Sequence, residues 1–144
     1  MNVTIRAISE NDVQAILKIR TLISNEEAGT DFQRFVAQHA SGENGRVSLV
    51  ADVDGQVAGY MMSTTLYAGF GIKKSAWIMA IGIHPEHMGQ GLGLKLARQT
   101  CDLYREKGIK SIYSSVLWDS SDVLSFFKKL GFGRSDFINL KKDL

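Results

Sequence analysis

The chain has 144 residues, 44% of them apolar, and a net charge of +2 from 17 basic and 15 acidic side chains. That is enough chain for one sizeable core, and with no linker, repeat or low-complexity stretch a single domain over residues 1–144 is expected. The charges are scattered rather than blocked, which gives no case for nucleic acid or a membrane as partner. The opening MNVTIRAISEND is polar and charged, so neither a signal peptide nor a spanning segment is expected, and the lone Cys101 excludes an internal disulfide and fits a reducing, cytoplasmic setting.

In chain order, Val3 to Ala7 reads as a short strand. Ser9 with Asp12 resembles a capping box, and Val13, Ile16, Leu17 and Arg20 recur at helical spacing, which predicts a first helix over Glu10–Ser24. Asp31 is placed to cap a second helix carrying Phe32, Phe35 and Val36, and Ser41 to Gly45 reads as a loop. Val47–Val53 and Gln56–Thr65 flank Asp54-Gly55, the strongest short-range signal for a tight hairpin. Tyr67 to Lys74 connects to an apolar strand, Trp77–Ile83, which Pro85 stops because it has no N–H for the ladder. A long helix then runs to about Lys107 and Gly108 ends it. Ser111–Leu117 reads as another strand. Asp119, with Asp122 three positions on, is placed to cap a helix bearing Val123, Phe126, Phe127 and Leu130, with Gly131 as its C′ residue, and Phe137–Leu140 predicts a last strand. Neither pure alternation nor segregation fits this order, so an α/β class with a mixed sheet is expected.

The chemistry concentrates on WIMAIGIHPEHMGQGLGLKL, residues 77–96, which orders strand, glycine loop and helix. Glycines let main-chain N–H groups turn toward a bound group, and a helix start adds unpaired N–H groups and the positive end of its dipole; together they suit phosphate. Two familiar phosphate motifs fail. A dinucleotide fingerprint needs G-x-G-x-x-G and a later acid, whereas Gly89, Gly91 and Gly93 are spaced G-x-G-x-G; a Walker loop needs Gly-Lys-Ser/Thr, whereas Leu94 and Lys95 follow Gly93.

Ile83 to Gly93 does resemble the V-x-P-x-x-(R/Q)-x-x-G-x-G segment of the GNAT-type N-acetyltransferases, and Phe126 to Phe132 resembles the F-Y-x-K-x-G-F ending of that family's last helix. The order of elements is the family's over essentially the full chain. The resemblance implies a central mixed, mostly antiparallel sheet flanked by about four helices. It also implies acetyl-CoA as co-substrate with no metal, and direct acetyl transfer to a primary amine on a small molecule or protein. Main chain at Ile81, Gly82 and Ile83 would pair with the pantetheine arm, and the amides of Met88, Gly89, Gln90, Gly91, Leu92, Gly93 and Leu94 would hold the pyrophosphate. Ser120 and Phe127 fall at the family's other coenzyme-side positions, and a homodimer is in keeping with the family.

Three departures stand out. Met88 replaces the usual Arg or Gln, removing a side-chain donor while leaving the amides. Ser120 stands for the usual Asn, with shorter reach. Phe127 stands for the Tyr that commonly serves as general acid, and phenylalanine has no proton to give. The family's acidic base positions fall on Met79, Ala80 and Ser115. His84 and Asp119 are the remaining candidates for base, each with a plainer reading, as a strand-end histidine and a helix cap. Tyr60 and Tyr67 are placed to line an acceptor channel or to pack, and Glu26, Glu27 and Asp31 to draw a cationic amine or to solvate helix ends. The absence of an evident acid and base also fits a degenerate domain that binds an acyl-CoA as a sensor.

Overall fold

The structure is a computed structural model, and it describes residues 1–42, 46–67 and 73–144. A five-stranded sheet in the order β1-β2-β3-β4-β5 is built from β1 (Val3–Ala7), β2 (Ser48–Val53), β3 (Gln56–Tyr67), β4 (Lys74–Ile83) and β5 (Ile112–Tyr113). The first three pairings are antiparallel, and β4 with β5 is parallel. Four α-helices complete it: α1 (Val13–Ser24), α2 (Thr30–Ala40), α3 (Leu92–Glu106) and α4 (Ser121–Lys129).

The sheet separates two cores, and strand alternation decides which residue enters which. Along β2, Leu49, Ala51 and Val53 join Leu92, Leu96 and Tyr104 of α3, while Val50 joins Ile16 and Ile19 of α1 and Val36 of α2. On β3, Met61 takes the first side and Tyr60 and Met62 the second. The Asp54-Gly55 turn has both central residues at positive φ, 52° and 89°, as a two-residue hairpin of right-handed strands needs.

Several boundaries differ from the sequence reading. Residues Glu10–Asp12 form a 3-10 turn and α1 starts at Val13, with the Asp12 carboxylate accepting the Ser9 N–H at 2.8 Å. The second helix opens from Gly29, not Asp31. Asp119 does not cap α4; Ser120 occupies the N-cap without a side-chain hydrogen bond. The other end of α4 is as expected: Gly131 at φ 89° donates to the Lys128 carbonyl and Phe132 to that of Phe127, a Schellman closure. The strand expected over Ser111–Leu117 contracts to Ile112–Tyr113, and the one expected at Phe137–Leu140 has no ladder partner and is not a strand. Residues 43–45 and 68–72, parts of two expected loops, lie outside the described residues.

One buried base gives the fold a pH signature. His39 is 5% exposed, with its Nδ1 2.6 Å from the Ser48 hydroxyl and its ring against Phe35. Burial, and then the nearby Arg46 charge, lower its pKa to about 4. An unfolded histidine takes its proton near 6.5, so between these values the unfolded chain binds more protons and stability falls as pH drops. The expected loss from neutral pH to about 4 is up to about 3 kcal/mol, read as the urea midpoint against pH; His39→Gln should flatten that window. A second loss, at lower pH, belongs to Asp12. Burial pushes its carboxyl up, but the Arg6 guanidinium and the Ser9 amide outweigh this and hold it below the ordinary value.

Candidate functional site

β4 carries a half-open edge. Its parallel pairing with β5 covers only Ala76 and Trp77; past them Ser114 touches the strand once, its hydroxyl donating to the Ile78 carbonyl at 3.4 Å. From there to Ile83 no strand among the described residues lies on that side. Which main-chain groups face the gap follows from two bonds. Ala76 N–H donates across to Ser111 at 3.1 Å, whereas His84 N–H donates back to Ala58 of β3 at 2.8 Å. Counting alternately from each end, residues 76 and 78 face β5's side, but so do 81 and 83, and the change of parity is taken up by the register shift opposite Met62/Ser63, where Met79 has no partner. The bulge therefore turns the N–H and C=O of Ile81 and Ile83 toward the gap.

The loop beyond β4 gathers main-chain N–H donors. Residues Pro85–His87 make a single 3-10 turn, Gly89 lies at φ 81°, and Gly91, the N-cap of α3, at φ 78°. These left-handed angles favour glycine. No side chain caps α3, no acid lies in its first turn, and the first intrahelical N–H at its start is Lys95, donating to Gly91 at 3.1 Å. The N–H groups of Leu92, Gly93 and Leu94 thus have no acceptor within the helix, at the positive end of a 15-residue dipole.

Gap and loop meet in a mostly apolar cavity of about 380 Å³. Ile81, Gly82 and Ile83 form one wall, Met88, Gly89, Gly91, Leu92, Gly93 and Leu94 a second, and Asp122, Val123 and Phe126 of α4 a third. Ile23 of α1 and His87 close the rim. Nine of the residues assigned to coenzyme binding from sequence therefore share one cavity. Three stand outside its wall. Gln90 is exposed, 3.2 Å from the His87 Nδ1; Ser120 is the α4 N-cap; and Phe127 is buried in the core against Phe132. The ring at the wall is Phe126, and its closeness to Gly93 is such that a Cβ there would sit 3.0 Å from Phe126 Cε1. Asp122, Val123 and Phe126 were missed as a group, although their spacing of three and four puts them on one helix face.

Neither base candidate reaches the cavity wall. His84 Nδ1 accepts the Glu86 N–H at 3.1 Å and so caps the 3-10 turn, and Asp119 is an exposed turn residue. Met79 and Ser115 offer no acid or base, Ser115 accepting a hydrogen bond from Asn139 at 3.1 Å. Tyr60 is buried and packs over Gly82, and Tyr67 is exposed. Glu26, Glu27 and Asp31 are exposed at the ends of α1 and α2. Burial raises the Cys101 thiol, which Arg105 opposes and Asp102 reinforces, consistent with a packing residue. Among the described residues no His, Cys, Asp and Glu cluster could hold a metal, and no helix is long and apolar enough to cross a membrane.

Three solved structures superpose on essentially all of this chain. AAC(6')-Iy, in complex with the bisubstrate analogue CoA-S-monomethyl-acetylneamine, does so with a TM-score of 0.83 at 14% identity, covering 100% of this chain and 99% of its own. The aminoglycoside 6'-N-acetyltransferase AAC(6')-Ih from Acinetobacter baumannii gives 0.81 at 19%, covering 99% of each. A transcriptional regulator from Bacillus halodurans C-125 gives 0.81 at 21%, covering 99% and 100%. At such identities the likeness is one of fold. The sequence itself matches the model of the acetyltransferase (GNAT) family over residues 13–132, from the start of α1 to the Schellman closure of α4. The chain belongs to the acetyltransferase (GNAT) family.

Proposed function

We propose that this chain transfers the acetyl group of acetyl-CoA directly to a primary amine. The observation that carries the reading is the continuity of one cavity: a free strand edge at Ile81 and Ile83 runs into an uncapped helix N-terminus at Leu92 to Leu94. A pantetheine arm carries amide groups and needs a strand-like partner; a diphosphate needs N–H donors and no acid. The cavity supplies both in the order in which coenzyme A carries them. Ile81, Ile83, Val123 and Phe126 keep water from the arm.

In the reaction the amine lone pair attacks the thioester carbonyl carbon, the C–S bond breaks, the sulfur leaves as thiolate and takes up a proton, and the amine nitrogen gives one up. The chain's part is position: effective molarity for well-oriented groups is worth roughly 7 to 11 kcal/mol, enough to support turnover with phenylalanine at position 127. Cys101 lies outside the cavity wall, which favours direct transfer over an acyl-enzyme.

Calorimetric titration with acetyl-CoA, CoA and ATP, followed by thiol release against a panel of amines that includes aminoglycosides, tests the reading. Binding of both CoA species with thiol release supports it, and absence of CoA binding ends it. A second reading, an acyl-CoA sensor, is favoured by the burial of Phe127 and by the position of His84 and Asp119 away from the cavity wall; tight binding without turnover would select it. Met88 is 56% exposed at the cavity rim, where an arginine side chain would have room to reach the diphosphate. Met88→Arg is expected to tighten CoA binding about tenfold, the value of one charge-assisted hydrogen bond, in the same titration.

A further inference from the structure

The cavity holds too little positive charge for the diphosphate it is proposed to take. Its donors at Leu92 to Leu94 are neutral N–H groups, and Met88 brings no charge. Among the described residues of the wall two side chains ionise, His87 at the rim and Asp122 across the cavity on α4. With His87 neutral, a dianion meets one carboxylate and no cation, which Coulomb repulsion opposes. With His87 protonated the two wall charges cancel, and the ring adds a charge-assisted donor, stronger than a neutral one.

The ring is held so that this donor is its free nitrogen. The His87 N–H donates to the His84 carbonyl at 2.8 Å, which fixes the main chain, and the two rings lie edge to face at 5.9 Å. Gln90 Oε1 can only accept and stands 3.2 Å from His87 Nδ1, so Nδ1 carries a proton and donates. In the neutral ring Nε2 is then a bare lone pair that repels a phosphate oxygen; in the protonated ring it becomes an N–H donor. His84 has no such part, because its Nδ1 accepts the Glu86 N–H and its side chain stands off the wall. We infer that His87 is a coenzyme-binding residue, its protonated Nε2–H donating to the diphosphate in place of the side-chain donor that Met88 lacks.

Binding and protonation are then linked. Each favours the other by the same factor, so the complex takes up a proton and affinity rises as pH falls. One charge-assisted hydrogen bond is worth about tenfold, and histidine changes charge between about pH 5 and 8. The other charged groups of the adjoining elements are Glu86 on the same turn, Lys18 and Arg20 on α1, Lys95 in the first turn of α3 and Asp122 on α4. Of these Asp122 alone is on the wall. The third histidine, His39, is buried against Phe35 with a pKa of about 4, below this window.

The inference rests on coenzyme A occupying this cavity, and one titration keeps the two apart. The ligand is dephospho-CoA, which retains the diphosphate and lacks the 3′-phosphate, a group that itself titrates at about pH 6. Calorimetry runs from about pH 5.5 to about pH 8 in pairs of buffers with different ionisation heats. The wild type should bind about tenfold tighter at the acid end and take up about half a proton per ligand midway. His87→Gln keeps a neutral donor at the Nε2 position. It should take up no proton, bind at least as tightly as the wild type at the alkaline end and bind several-fold more weakly at the acid end. His84→Asn, which still offers the Glu86 N–H an acceptor, should keep the wild-type pH dependence. Flat wild-type binding, equal losses for His87→Gln at both ends, or a pH dependence that follows His84 overturns the inference and leaves the coenzyme reading standing. Absence of dephospho-CoA binding at every pH overturns both.

Discussion

Gly82→Val is expected to lower stability by about 2 to 3 kcal/mol and to abolish CoA binding. A Cβ at this position would stand 2.6 Å from the Cε1, Cζ and hydroxyl of Tyr60, a residue 1% exposed and packed among Ile16, Val36 and Met62. The ring cannot retreat without opening the core beneath α1 and α2, so the strand must move instead. That displacement takes Ile81 and Ile83 with it, and they hold the free main-chain groups of the cavity. Urea unfolding measures the first effect and calorimetry at a temperature where the variant is still folded measures the second. A variant as stable as the wild type would show that Tyr60 does not lock this strand.

Gly93→Asp separates stability from binding. A carboxylate in the first turn of an uncapped helix is favourable for the dipole, by about 0.3 to 1 kcal/mol, which offsets the crowding of its Cβ against the edge of Phe126. The same charge lies where the diphosphate is proposed to bind and satisfies the N–H groups it would use. The expected outcome is an unchanged or slightly shifted urea midpoint with CoA affinity reduced about a hundredfold, near 2.8 kcal/mol. Gly93→Asn is the control for shape without charge and should lose less. Equal losses for both would trace the effect to crowding against α4 and not to an anion site.

The parts of the fold written in local patterns were legible in sequence. The Asp54-Gly55 hairpin, the glycine loop between β4 and α3 and the Gly131 closure each depend on a few adjacent residues whose backbone angles the residue type restricts. Nine of the coenzyme assignments met in one cavity for the same reason, because loop and strand end are consecutive in the chain. What failed depends on neighbours far away in sequence. Phe137–Leu140 has the composition of a strand, but a strand exists only with a partner edge, and among the described residues none pairs with it. Asp119 has the chemistry of a cap and lies one residue early, since the Leu117–Ser120 turn, closed by the Ser120 N–H to Leu117, sets where α4 starts. The choice between Phe126 and Phe127 is a matter of helix phase. Adjacent rings point about 100° apart, and only packing against Gly93 and Phe132 shows which of them enters the cavity.

The unpaired Met79 gives β4 two independent reading frames. Ahead of it, Ala76 and Trp77 are committed to β5; behind it, Ile81 and Ile83 are offered outward, and neither half dictates the other's phase. A strand of uniform pleat would have to use the same alternate residues for both tasks, so that a change suiting the core junction would disturb the free edge. With one residue of slack between them, substitutions around Trp77 can accumulate without altering which amides face the cavity. Closing the bulge with that residue retained would instead present Gly82 to the gap and turn both isoleucines to the opposite core. With this number of residues the bulge itself is therefore under tighter constraint than the identity of the Met79 side chain, which stands half in solvent and touches neither task.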